Sequence, residues 1–220
     1  MNSLLVPAFL SAEDVNVIVV DWSAGAGDIN YATAVANTVT GGQAVARFIN
    51  WLNQATGSSP AFFHIIGHSL GAHKAGIIGR NLDGRLAYIT GLEAALPGFI
   101  SNTDNRLRAE DSAYTEVIHT NAGVLGFLTP LGHVDFYPNG GNNMPGCDSQ
   151  DCDHARSYFY LAESLTSGGF TGRRCASYLT AMSANCFLPG SLRMGGLVAK
   201  TGSTGIYHLD TNAEPPFSRG

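Results

Sequence analysis

The chain has 220 residues, of which 45% are apolar and 10% aromatic, a composition that excludes intrinsic disorder and suffices for one sizeable core. Charged residues make up only 13%, with 12 Lys and Arg against 17 Asp and Glu, for a net charge of −5. No basic cluster offers an electrostatic footprint for nucleic acid, and no apolar run approaches the ~20 residues of a membrane-spanning helix.

Leu4–Leu10 is a short apolar stretch that holds Pro7 and has no Lys or Arg before it. It lacks the positive n-region and small-residue cleavage site of a signal peptide, and we expect it to form part of a helix on a sheet. Val15–Asp21 reads VNVIVVD, a continuous apolar run of the kind a doubly covered parallel strand displays. Thr40 and Gln43 have capping-box spacing, and Val45, Phe48, Ile49 and Leu52 follow at i, i+3, i+4, i+7, which predicts an amphipathic helix. Residues 62–66 are predicted as a second strand, 72–82 as a helix, 86–92 as a third strand and 115–120 as a fourth. Alternating strands and helices predict an α/β fold with a mostly parallel sheet and right-handed crossovers. From Cys147 onward the chain reads as loop-rich, with a helix near residues 155–165 and a last strand at 205–210. Repeats and linkers are absent, so one domain is expected over residues 1–220.

Gly67-His68-Ser69-Leu70-Gly71 is a G-x-S-x-G segment between a predicted strand and a predicted helix. That context suits a nucleophile elbow, a sharp strained turn that lifts a serine Oγ above the sheet edge. The backbone N–H of Leu70, at the helix start, would point at a developing oxyanion. A serine nucleophile needs a base, and the base an orienting acid. In this kind of fold the chain order is Ser, then Asp or Glu, then His. Glu93 directly follows the third predicted strand, at the carboxyl end where such acids lie.

Seven histidines compete for the base. His64 alternates within a strand, His68 belongs to the elbow and His73 lies one turn into its helix. His119 and His133 flank strand-like segments and read as structural. His154, in a predicted loop between Cys152 and a helix start, lies downstream of both Ser69 and Glu93 and is the best candidate. The four cysteines, Cys147, Cys152, Cys175 and Cys186, contain no Cys-x-x-Cys, which disfavours a zinc ribbon or redox motif and favours disulfides in an oxidising compartment.

Several longer segments carry a resemblance: Gly67–His73, Ile89–Leu92, Val117–Thr120, Gly132–Gly141, Val17–Ser23 and Glu214–Phe217. Together they resemble the pancreatic lipase family, and within it insect lipases and the phospholipase A1 branch. The resemblance covers nearly the whole chain and implies an α/β-hydrolase fold. It places the family's nucleophile on Ser69, its acid on Glu93 and its histidine on His154. It also implies disulfides Cys147–Cys152, where the family closes a lid loop, and Cys175–Cys186.

Departures from the family pattern accompany the likeness. Glu93 stands where the family usually has Asp. The His-Gly-aromatic strand end that supplies a second oxyanion N–H has no counterpart before residue 15. The chain therefore reads as truncated at its N-terminus, lacking a signal peptide and edge strands, and it has no C-terminal lipid-binding β-sandwich. Arg108 occupies a calcium-loop position that is normally Asp, beside matching Arg106 and Asp111, so no metal or other cofactor is expected. Only Asp148–Asp151 lie between the lid cysteines, too few to cover an apolar cleft, as in the phospholipase A1 branch. The resemblance thus implies a secreted lipid-ester hydrolase, phospholipase A1-like or a lipase, acting at a lipid–water interface or membrane surface. Its rival is a yolk-protein-like relative that binds or stores without hydrolysis.

Overall fold

The computed structural model describes residues 1–27 and 30–220. Its centre is one seven-stranded sheet in the order β1-β2-β3-β4-β7-β5-β6. The strands are β1 (His64–Ser69), β2 (Tyr88–Ala94), β3 (Thr115–Ile118), β4 (Val134–Pro138), β5 (Phe170–Cys175), β6 (Ser191–Met194) and β7 (Gly205–Leu209). From β1 to β4 and on to β7 every pairing is parallel, whereas β5 pairs antiparallel with both β7 and β6. The mostly parallel α/β architecture read from the sequence is therefore the observed one.

Helices cover both faces because the buried strands are apolar on both faces. On β2 and β3, Ile89 and Val117 join one core cluster, with Ala46 and Ile49 of α3 (Tyr31–Thr56) and Ala75 and Ile78 of α4 (Leu70–Arg80). The alternate residues Tyr88, Leu92 and Ile118 join the other cluster, with Leu5 and Phe9 of α1 (Asn2–Ala12) and Tyr160 and Leu161 of α5 (Gln150–Thr166). This is the period of two that a pleated strand imposes.

The segment Val15–Asp21, expected as a strand, is extended chain without ladder pairing. Ile18, Val19 and Val20 are 52%, 50% and 43% exposed. A strand exists only through a neighbour's hydrogen bonds, and among the described residues none runs alongside; β1 itself is an edge strand. The long helix begins at Asn30 rather than Thr40, the Asn30 side chain accepting from Ala32 N–H at 3.0 Å. Gly42 lies inside that helix where a Cβ would come within 2.6 Å of Ile77 Cγ2, so it marks close helix packing. The region after Cys147 is more ordered than its composition predicts, since β5 and β6 lie within it. β5 buries only Phe170, Gly172 and Cys175, and β6 has a single buried residue, leaving little hydrophobic signal.

Two histidines, His64 half-buried and His73 buried, tie helix and strand to the core. His64 bonds Thr90 Oγ1 at 2.7 Å and stacks on Tyr88. His73 accepts from Leu107 N–H at 3.0 Å through Nδ1 and faces the Ala95 carbonyl at 2.7 Å through Nε2, which fixes a neutral ring with the proton on Nε2. Burial, reinforced by nearby cations, lowers their pKa values to about 3 and about 4 from 6.5. The unfolded chain thus binds more protons across that interval. Stability from the neutral rings is complete above pH 6.5 and is lost as pH falls toward 4. Thermal melting should therefore weaken between pH 7 and pH 5 by on the order of 1–2 kcal/mol for His73 alone. In His73→Gln the melting midpoint should be lower at pH 7 and flatter with pH; an unchanged slope would refute this account.

Candidate active site

The pairing of β1 with β2 sets the site. Their register runs from His64 opposite Tyr88 to Ser69 opposite Ala94, with an irregularity at the final step. Both strands end at the same level, so Ser69 and Glu93 meet at the carboxyl edge of the sheet. Ser69 takes φ 57°, ψ −122° between β1 and α4. That backbone is unfavourable for a residue with a Cβ and is held by its surroundings. Gly67 makes the turn possible, because a Cβ there would collide with the Gly71 carbonyl. Gly71 itself faces open space, so of the two motif glycines only the first is demanded by packing. Leu70 is the first residue of α4, where the backbone N–H has no helical acceptor.

Glu93 is fully buried and has φ 48°, a kink that turns its carboxylate out of the strand's alternation. Its Oε2 accepts from the Thr120 backbone N–H, and from Thr120 Oγ1 at 3.3 Å. Its Oε1 lies 3.9 Å from His154 Nδ1. That is ion-pair reach but beyond a hydrogen bond. Neither Oε1 nor Nδ1 has another hydrogen-bond partner. Two unpartnered buried atoms that face each other suit a contact that tightens when the histidine is protonated.

His154 is not in a loop. It lies in α5, whose N-cap Ser149 accepts from Cys152 N–H at 3.3 Å. The disulfides are Cys147–Cys152 and Cys175–Cys186. The first bridges the loop to the first turn of α5, so the short segment between Cys147 and Cys152 is a stapled helix start. Asp153 beside His154 accepts from Met144 N–H at 2.6 Å, which anchors the same turn. A tether on the other side joins residues far apart in the chain and has no local signal: His68 Nε2 donates to the His154 carbonyl at 2.9 Å. The two rings lie 4.5 Å apart, and Tyr158 sits edge-on to His68 at 5.2 Å. Burial and the His154 ring together push the His68 pKa down to about 4. The elbow and α5 are thereby joined, and Ser69, Glu93 and His154 fall in one neighbourhood.

The remaining histidines bond elsewhere. His119 faces the Phe127 carbonyl and Asp135 Oδ1, each at 2.9 Å. His133 Nδ1 accepts from Thr115 N–H at 3.0 Å. Asp111, at the calcium-loop position, has both oxygens on Arg80 Nη1, at 2.7 and 2.8 Å, and Oδ2 also accepts from Arg108 N–H. Thr120 lies within one of the motif segments, but only the fold brings its N–H to Glu93. Two shallow surface depressions, one around Asn53 and Arg85 and one around Arg106 and Leu131, border none of Ser69, Glu93 and His154. Among the described residues no helix is long and apolar enough to cross a membrane.

A family model described as Lipase matches residues 2–217. The chain is 38% identical over 242 residues to the pancreatic triacylglycerol lipase of Oryctolagus cuniculus, covering 94% of this chain and 52% of that protein. It is 37% identical over 238 residues to lipase member H-B of Xenopus laevis, covering 97% and 51%. Pancreatic lipase-related protein 3 of Homo sapiens is 38% identical over 249 residues, covering 96% and 52%. The chain thus spans about half the length of the curated relatives it matches. With a mostly parallel sheet, a strained serine elbow and this match along nearly all its residues, the chain belongs to the pancreatic lipase family of α/β hydrolases.

Proposed function

We propose that the protein is a lipid carboxylic-ester hydrolase of the phospholipase A1 or lipase type, working through Ser69, His154 and Glu93. The observation that carries this reading is the buried, otherwise unpartnered pair Glu93 Oε1 and His154 Nδ1, 3.9 Å apart beside the elbow serine. In the reaction His154 Nε2 removes the Ser69 hydroxyl proton as Oγ attacks the acyl carbonyl. The carbonyl oxygen becomes an oxyanion, and the Leu70 N–H, at the positive end of α4, donates to it. The imidazolium returns its proton to the departing alcohol, leaving an acyl ester on Ser69. Water, deprotonated by the same histidine, then releases the fatty acid. Glu93 holds the Nδ1–H tautomer and offsets the charge that forms on the ring.

Three supports bear on the substrate. The relatives are named as triacylglycerol lipases and as lipase member H. The segment between Cys147 and Cys152 is part of a helix start and is too short to close over the serine. An uncovered site accepts a polar head group without interfacial lid opening, which favours phospholipid over triglyceride. The two disulfides suit secretion and action at a lipid surface. The competing reading, a lipase-fold protein that binds without hydrolysing, draws on the 3.9 Å acid–histidine gap.

A fluorophosphonate probe should label the native protein and not Ser69→Ala; a folded native sample that stays unlabelled would sink the hydrolase reading. Glu93→Ala should lower kcat by about 10²–10⁴-fold, the range that follows loss of the orienting acid. Side-by-side release of fatty acid from phosphatidylcholine, galactolipid and trioleoylglycerol should rank phospholipid first, and a triglyceride preference would overturn the substrate assignment.

A further inference from the structure

We propose that Gly126 is a positioning residue whose missing side chain is what lets a glutamate serve as the acid of this site. The inference rests on the triad reading above and explains how that site accommodates its longer acid. Gly126 is buried in the turn after β3. A Cβ built on it would coincide with Glu93 Oε1, and the next nearest atoms are the Glu93 carboxyl carbon and Oε2. The three closest heavy atoms therefore all belong to one carboxylate. Gly126 is absent from the residues with positive φ, so its backbone does not itself call for glycine. What requires glycine here is the space that Glu93 occupies.

The backbone at Gly126 cannot withdraw. Gly126 N–H donates to the Asn121 carbonyl at 3.1 Å and its carbonyl accepts from Gly123 N–H at 2.8 Å. On either side, Leu96 N–H donates to the Leu125 carbonyl at 2.8 Å and Phe127 N–H to the Ala94 carbonyl at 2.7 Å. Asn121 Oδ1 accepts from Leu125 N–H, and His119 holds the Phe127 carbonyl. The turn is thus stitched to the end of β2 directly over the acid. Glu93 cannot retreat either, because Thr120 grips Oε2. A methyl group at residue 126 must then displace Oε1, the oxygen that faces His154. An aspartate would end one methylene earlier and leave that space empty. Glu93 and Gly126 form a matched pair.

The test is a double-mutant cycle on the full chain with four proteins: native, Gly126→Ala, Glu93→Asp and the double variant. In the native background Gly126→Ala should lower kcat by about 100-fold or more with KM within about twofold, as expected when an acid is misplaced rather than substrate binding lost. Within the Glu93→Asp background the same substitution should change kcat by less than about threefold. An equal loss in both backgrounds, or no loss in the native one, overturns the proposal. Melting temperature gives a second readout that needs no activity. Gly126→Ala should lower it by several degrees beside Glu93 and by about one degree or less beside the shorter acid; equal shifts again overturn the pairing. Ser69→Ala separates the two readings: if it hydrolyses ester as well as native, the triad assignment fails, while the melting cycle still decides the steric one.

Discussion

The parallel ladder between β1 and β2 is the constraint on which the site depends. Parallel strands in register must end at the same level, so the turn that leaves β1 and the residue that leaves β2 emerge side by side. Each exit carries an unfavourable backbone, at Ser69 and at Glu93. Both conformations survive because buried neighbours on either side determine them more strongly than local preference does. Shift the register by one residue and Ser69 and Glu93 would leave the sheet at different levels, each side chain on the wrong face.

The third proposed group arrives from a different part of the chain, and several independent ties hold it. α5 packs through Tyr160 and Leu161 on the sheet face opposite α4. Its first turn is stapled by Cys147–Cys152, capped by Ser149 and anchored through Asp153. The elbow's own His68 then bonds the backbone carbonyl of His154. The position of His154 therefore rests on main-chain and covalent links and not on a hydrogen bond to Glu93. This explains how the ring stays in place while its Nδ1 and the Glu93 carboxylate remain 3.9 Å apart.

Two ion pairs of the chain hold a carboxylate that is buried. Lys200 Nζ meets Glu116 Oε2 at 2.6 Å, and Tyr114 and Gly195 N–H complete that carboxylate's shell. Arg80 closes on Asp111 beneath α4. Removing one partner of either pair would leave an uncompensated charge indoors, which costs far more than the intact pair contributes. A composition with 13% charged residues and 27 glycines thus fits a molecule whose helices and turns approach the sheet at backbone contact.

Much of this was legible beforehand. The continuous apolar strands, the G-x-S-x-G turn and the order Ser69, Glu93, His154 depend on residue type and spacing, which local physics reads directly. Helix limits were less so. α3 starts earlier because Asn30 caps it and Ala34, Val35 and Thr38 in its first turns are buried, and His154 is helical because Ser149 caps a turn that the disulfide steadies. β5 and β6 are not legible in the sequence because strands with so few buried residues carry almost no hydrophobic pattern. The Val15–Asp21 run had the composition of a strand yet finds no ladder partner among the described residues. What the sequence determined by itself was therefore the list of chemical groups and the elements that bear them. Tertiary structure alone decided the Thr120 grip, the His68 tether and the space above Gly126, because each joins residues distant along the chain whose meeting is a property of packing.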